Sequence, residues 1–420
     1  MKHKIFYGWW VVLSLIPATL VHAGALFYIF GIFYEPLMRE FGWSRATVAG
    51  ALTIYLLSLG FSGPFIGRLA DRFGPKNIIG YGAFFGGIFF ILLSRIDSLW
   101  QFYGLYFLHG IAFAGCGNVP VNTALTNWFI KKRGRAIGFA MAGVSLGAIT
   151  ITPLGGFILQ QIGWRNTYIF LALLSWIVVL PPLIWLMKNK PSQMGLSPDG
   201  NAAVEPEPSA SHSSAPAVET MGPVKPWKLS TVTRTLPFWL ICLAYFFIYF
   251  PIGAILGHQI VYITDMGFTM ASAAAALGVT GGMGGVGKIV FGLLSDRFSP
   301  KRVTILCAVF QGIGIMFLLH AETMAAIWVY AIFFGFCMGG HLALQPLIVA
   351  YFFGVQSFGM LYGIIVLAGT IGTSTGPVIA GSAFDIFGTY YGVFAGCILL
   401  SWMAAVAVGI SKRAVDSEKV

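Results

Sequence analysis

The sequence predicts an all-α membrane protein with twelve transmembrane helices in two pseudo-symmetric six-helix bundles. Composition is the first observation behind this: 57% of the 420 residues are hydrophobic and 9% are charged, where soluble domains carry about 25% charged residues. Mean hydropathy is +0.82. The second is a count of apolar runs long enough to cross a bilayer, about 20 residues each. The third is an internal repeat that relates one half of the chain to the other.

The runs lie near 9–37, 46–66, 77–94, 100–127, 136–160 and 166–187, then 236–264, 272–294, 303–320, 324–352, 358–383 and 390–410. The first follows Lys2 and Lys4, as a signal peptide would. It is too long for a signal core and shows no convincing cleavage site, so it reads as a retained helix. Between the sixth and seventh runs the chain turns polar, KNKPSQMGLSPDGNAAVEPEPSASHSSAPAVET, rich in Pro, Ser, Ala and acids. That is linker composition. The expected division is an N-terminal bundle over 1–187, a cytoplasmic linker over 188–235 and a C-terminal bundle over 236–420.

GRLADRFGPK at 67–76 returns as GLLSDRFSPK at 292–301, 225 residues later. A weaker echo links RGRAIGFAMAGVSLG at 133–147 with FGMLYGIIVLAGTIG at 358–372. Two related six-helix halves joined by a polar linker are a transporter plan, with the site at the interface between them.

The net charge of +11 suggests nucleic acid at first sight. With both termini and the linker placed in the cytoplasm, twenty of the 25 Lys and Arg fall inside, Arg39, Arg45, Arg95 and Arg165 fall outside, and Lys288 lies within a span. This is the positive-inside pattern. It accounts for the basic charge with no nucleic-acid partner and makes the lipid bilayer the expected environment, as a multi-pass cell (inner) membrane protein. The five cysteines all lie in apolar stretches and form no CxxC pair, so neither a disulfide framework nor a metal site is expected. No nucleophile elbow or catalytic carboxylate pair is present, so no enzyme and no cofactor are expected.

Residues Gly282 to Lys288 spell G-x-x-x-x-G-K, the core of a phosphate-binding loop. Such a loop follows a strand, opens a helix and has Ser or Thr after the lysine. Here Ile289 follows, and the preceding ASAAAALGVT is small and apolar. The nucleotide reading fails. The glycines suit a helix face packed on a neighbour, with Gly278, Gly281, Gly285 and Gly292 at helical spacing. Lys288 becomes the residue to explain. A cation at that depth costs about 2.5–3.5 kcal/mol or more unless hydrated or paired. It either snorkels to the cytoplasmic headgroups or anchors an anionic substrate in a watered cavity. Its repeat equivalent is Gly63, so the fold does not need a lysine there.

The paired G-x-x-x-D-R-x-G-P-K and G-x-x-x-D-R-x-x-P-K stretches resemble the loop signature of the major facilitator superfamily, over the whole chain. Asp71 and Asp296, with Arg72 and Arg297, are then expected to latch helices on the cytoplasmic side in gating rather than touch substrate. YGWWVV (7–12), GFAMAG (138–143), MGLSPDG (194–200), GFCMGG (335–340), TGPVIAGSAFDIFGTY (375–390) and YGVFAGC (391–397) resemble the monocarboxylate transporter family and its bacterial relatives, including oxalate–formate antiporters. That family's eighth helix carries Asp-x-x-x-Arg, the arginine binding the substrate carboxylate. By position, the arginine falls on Lys288 and the aspartate on Gly284. Asn118 falls close to a family position that helps orient the carboxylate.

Other polar residues within the spans are Asn122, one turn after Asn118; His22 and Tyr28 in the first; His341 and Gln345 in the tenth; and, as weaker candidates, Tyr249, His258 and Gln259 in the seventh. Each serves either a ligand or a helix–helix hydrogen bond. The resemblance implies a carrier of a small organic monocarboxylate working by alternating access, with a proton as coupling ion in symport. Substrate contacts are expected from Lys288, Asn118, Tyr28, His341 and Asn122. Competing readings are an oxalate/formate-type exchanger, a multidrug efflux carrier on the partial match of GAITITPLGG (147–156), and a membrane sensor that transports nothing.

Overall fold

The computed structural model describes residues 5–24, 29–200 and 229–412. Among these the chain is helical with no strand. The helices are α1 (Gly8–His22), α2 (Tyr34–Phe41), α3 (Arg45–Phe73), α4 (Pro75–Leu93), α5 (Leu99–Ala114), α6 (Asn118–Trp128), α7 (Arg133–Leu174) and α8 (Leu180–Leu186), then the short α9 (Leu229–Val232), α10 (Leu236–Asp265), α11 (Met270–Arg297), α12 (Pro300–Leu319), α13 (Met324–Phe353), α14 (Phe358–Phe387) and α15 (Tyr391–Ile410). Nine helical stretches among the described residues are long and apolar enough to cross a membrane. One of them, Arg133–Leu186, is 54 residues long and crosses twice. The shorter α1 begins the first crossing, and α5 with α6 makes the fourth, which completes the twelve.

In the first span an α-helix runs to His22 and a 3-10 turn covers Phe30–Phe33. One expected continuous span is broken. The fourth breaks at Gly115–Gly117, so Asn118 opens a new helix. In α7 the break falls at Gly163, whose φ of 79° and ψ of 168° belong to glycine alone. That turn sends the chain back, and Trp164 and Arg165, just past it, both bind Glu40 at the end of α2.

The repeat shows in local chemistry. Ser44 caps α3 by accepting from the Thr47 amide at 3.1 Å, and Thr269, 225 residues later, caps α11 by accepting from the Ser272 amide at 3.2 Å. Ser98 and Thr323 cap α5 and α13 in the same relation. Pro75 and Pro300 each stand at the first turn of the next helix, where the missing N–H is harmless.

The buried apolar side chains form two main clusters, one drawn chiefly from 11–187 and one from 232–408. Large side chains such as Phe61, Phe65, Phe157, Ile177 and Trp185 lie exposed on the outside, as hydrocarbon-facing residues do.

The halves meet along two repeat-related seams. In one, α3 lies on α14: Gly67 backs onto the Gly359 carbonyl, Gly63 onto Gly363, and Gly60 onto Thr370. In the other, α7 lies on α11: Gly134 backs onto the Gly292 carbonyl, Gly138 onto the Lys288 carbonyl, and Gly285 onto Ser145. Added side chains at Gly67 or Gly134 would strike main chain. Both seams lie toward the end that carries Asp71 and Asp296. Toward the other end α11 leaves its neighbour, and Gly278, Gly281 and Gly282 face open space. The expected glycine face therefore packs only in its lower half, at Gly285 and Gly292. The hydrogen bonds between the halves among the described residues, at Asp71, Asp296, Lys288 and Asn122, join them from that end as far as Lys288 and Asn122.

Candidate functional site

Lys288 sits on the α7–α11 seam, between the rungs at Gly292 and Gly285. It is 4% exposed, and its Nζ donates to Ser145 Oγ at 2.8 Å across the halves. The repeat-equivalent rung, Gly63 on Gly363, carries no side chain on either helix. The cation is therefore an addition to one seam only. The ion pairs among the described residues are Glu35–Arg39, Asp296–Arg135 and Glu40–Arg165, so Lys288 has no carboxylate partner there. Gly284, one turn away, faces the tip of Met338 and the main chain of Gly335 and Gly339. The close approach of α11 to α13 leaves an acid at 284 little room.

A second polar link between halves involves Asn122. It is fully buried, and its Nδ2 donates to the Asn118 carbonyl at 2.8 Å and to Tyr362 Oη on α14 at 3.2 Å. Its Oδ1 has no partner among the described residues. Asn118, half-buried, opens α6 beside the Gly115–Gly117 break. His341 is fully buried with both ring nitrogens unpartnered among the described residues. Gln345 donates to the Ile365 carbonyl at 3.3 Å, a helix–helix bond. Tyr28 lies outside the described residues. His258 bonds Tyr390 Oη at 3.0 Å and the Pro377 carbonyl at 2.9 Å, and Gln259 bonds Tyr330, so both tie helices within the second half. Tyr249 is packed with its hydroxyl unpartnered among the described residues.

At the Asp71/Asp296 end the two repeat-related aspartates do the same thing in each half. Asp71 accepts from the backbone amides of Gly359 and Met360 at 2.9 and 3.1 Å, at the start of α14. Asp296 accepts from the amides of Gly134 and Arg135 at 2.7 and 3.1 Å, at the start of α7. A carboxylate at a helix N-terminus satisfies orphan donors and meets the positive end of the helix dipole. Glycine is needed at 134 and 359 because a Cβ would press on the incoming carboxylate. The two latches differ in one respect. Arg135 adds an ion pair to Asp296 at 3.0 Å, whereas its repeat equivalent is Met360. Arg72 lies exposed over the Phe73 ring, and Arg297 is exposed. Neither reaches its neighbouring aspartate, so the latches use main-chain donors of the opposite half instead.

Ser145, Tyr362 and the amides at 134–135 and 359–360 escaped sequence reasoning. The amides were within reach, because Gly134 and Gly359 stand 225 residues apart, as Asp71 and Asp296 do. Asp199 escaped it too. From the start of the linker it accepts from the amides of Ile130, Lys131 and Lys132 at 3.0, 2.7 and 3.3 Å, which explains the MGLSPDG stretch as a brace on the α6–α7 loop.

A buried cation without a carboxylate partner can hold an anion. Known proteins share the plan of two helical bundles. The family model described as Major Facilitator Superfamily matches residues 15–340 and 283–419. A protein named Oxalate:formate antiporter from Oxalobacter formigenes is 24% identical over 381 residues, covering 88% of this chain and 85% of that one. Monocarboxylate transporter 13 of Rattus norvegicus is 24% identical over 403 residues, covering 94% and 87%. Among solved structures, a Major Facilitator Superfamily transporter, FucP, in the outward conformation superposes with a TM-score of 0.74 at 14% identity, covering 96% and 99%. The proton:xylose symporter XylE gives 0.69 at 14% identity, covering 96% and 94%. This multi-pass membrane chain belongs to the Major Facilitator Superfamily.

Proposed function

We propose that this protein carries a small organic monocarboxylate across the cell membrane by alternating access, in symport with a proton. The observation that carries the reading is Lys288, a buried cation on the seam between the halves with no carboxylate partner among the described residues. The two relatives named for oxalate, formate and monocarboxylates support the substrate class. One cation suits one carboxylate. The N-terminal bundle is 1–187, the linker 188–235 and the C-terminal bundle 236–420. The Asp71/Asp296 end faces the cytoplasm on the positive-inside pattern.

Lys288 anchors the carboxylate, with Asn118, Asn122 and Tyr28 as further contacts. The proton rides on Lys288 or on His341, whose unpartnered imidazole is the alternative carrier. Asp71 and Asp296 hold the cytoplasmic end shut and are released when the cleft changes sides, with Arg72 and Arg297 beside them at that surface. The testing experiment is a thermal-shift screen of the purified protein with formate, acetate, lactate and pyruvate, followed by uptake into proteoliposomes under a pH gradient. The reading expects stabilisation by at least one and uptake driven by an acid outside. No stabilisation and no uptake of any of the four would overturn it.

A further inference from the structure

Lysine presents a compact point charge, and by itself it grips a carboxylate at one oxygen without fixing its orientation. The structure shows what stands beside it. Ser145 Oγ lies 2.8 Å from Lys288 Nζ and accepts from it. Several other hydroxyls in these helices, though not Thr152, spend their proton on their own helix. Thr150 donates to the Leu146 carbonyl at 2.7 Å, and Thr370, the repeat equivalent of Ser145, donates to Val366 at 3.0 Å. Ser145 makes no such bond among the described residues, so its O–H is uncommitted. The ammonium has three N–H donors and uses one. Directly above this pair, on the same face of α11, Gly281 and Gly278 border open space.

We infer that Ser145 and Lys288 form a two-donor clamp for the substrate carboxylate, the ammonium holding one oxygen and the serine O–H the other. Together they supply the two parallel donors that a single arginine fork offers. The clamp is split between halves, with Ser145 on α7 and Lys288 on α11. It is complete only while that seam is closed at the Asp296 end. When the cytoplasmic end opens, the seam parts and the carboxylate loses its second donor, which favours release on that side. Gly285 belongs to the device, because a Cβ there would come within 3.3 Å of both Ser145 Cβ and Oγ and crowd the hydroxyl.

This inference rests on Lys288 as the anchor, and the test separates the two. Dissociation constants are measured on the full-length protein in detergent for whichever of formate, acetate, lactate and pyruvate stabilises the wild type most. The variants are Ser145→Ala, Ser145→Thr and Lys288→Ala. The clamp predicts a tenfold or greater loss of affinity in Ser145→Ala, as expected for a hydrogen bond to a charged group. It also predicts recovery to within about threefold in Ser145→Thr, which restores the hydroxyl. The melting temperatures of the ligand-free variants serve as the structural control. A serine needed only for packing would lower the melting temperature and leave affinity alone, and that result overturns the clamp. Wild-type affinity in Ser145→Ala overturns it as well, leaving the anchor standing if Lys288→Ala has lost binding. Undiminished binding in Lys288→Ala, or no binding of any of the four acids to the wild type, overturns the anchor and the clamp with it.

Discussion

At the scale of the residue, one departure from symmetry sets the site apart. Three rungs of one seam match three rungs of the other, position for position, and the match fails at Lys288 against Gly63. A charge buried against the cost of desolvation marks function more often than folding. Lys288→Ala should therefore abolish monocarboxylate uptake while the protein still inserts and melts cooperatively, and normal uptake by the variant would sink the assignment. Lys288→Arg should retain partial uptake. It restores the charge, but the larger guanidinium lies where α11 crosses Gly138 and must displace Ser145 from its present place. This residue was legible in the sequence, because a lone lysine in a span and a repeat partner lacking it need no coordinates. Its serine was not. Ser145 is unremarkable in composition, and only the crossing of α7 on α11 brings it to the lysine.

At the scale of the element, helix ends carry the argument. Asp71 and Asp296 each close two main-chain donors of the opposite half, but only Asp296 has an arginine as well. Asp296→Asn should shift the population toward the state open at the Lys131/Gln356 end more than Asp71→Asn does. Distances between spin labels at the exposed positions Lys131 and Gln356 read that shift, and an equal response to the two changes would remove any role for Arg135. Both variants should bind monocarboxylate in the wild-type range at equilibrium, within the few-fold that a changed population imposes. The α2–α7 corner makes a pH prediction. The hydrogen bond from Arg165, aided by Trp164 and the guanidinium charge, holds the Glu40 carboxyl below its ordinary value. A lowered carboxyl stabilises the fold above the usual glutamate range and loses that contribution as pH falls through the depressed value. Glu40→Gln should thus melt lower than wild type at pH 7, by the ~0.2–1 kcal/mol of an exposed pair, and the gap should close as pH falls through the depressed Glu40 value. A gap that persists in acid would mean the contact is not electrostatic. The sequence showed the aspartates at their spacing, yet it suggested neighbouring arginines as partners. Main-chain donors leave no trace in a residue pattern, and here they come from a helix 288 residues away in one case and 162 in the other.

At the scale of the whole molecule, the duplicated half explains why the fold was readable and the site only partly so. Apolar runs, a polar linker and a 225-residue repeat are one-dimensional signals. The apolar runs and the repeat survive in the twelve crossings, apart from the break at residues 115–117. The contacts between the halves are not such signals. They depend on where small residues let two bundles touch, and the sequence shows the glycines without showing which of them meet a partner. The picture that results is two halves joined along two seams, tied at one end by Asp71 and Asp296, with a buried cation on one seam. Its central claim is that this cation moves a monocarboxylate together with a proton. The most direct test is the uptake of labelled lactate, pyruvate, acetate and formate into proteoliposomes holding wild type or Lys288→Ala, with and without an acid exterior. The account predicts uptake of at least one acid by wild type, accelerated severalfold by the acid exterior and absent in Lys288→Ala. Uptake that ignores the pH gradient would contradict the proton, and equal uptake by both proteins would contradict the claim itself.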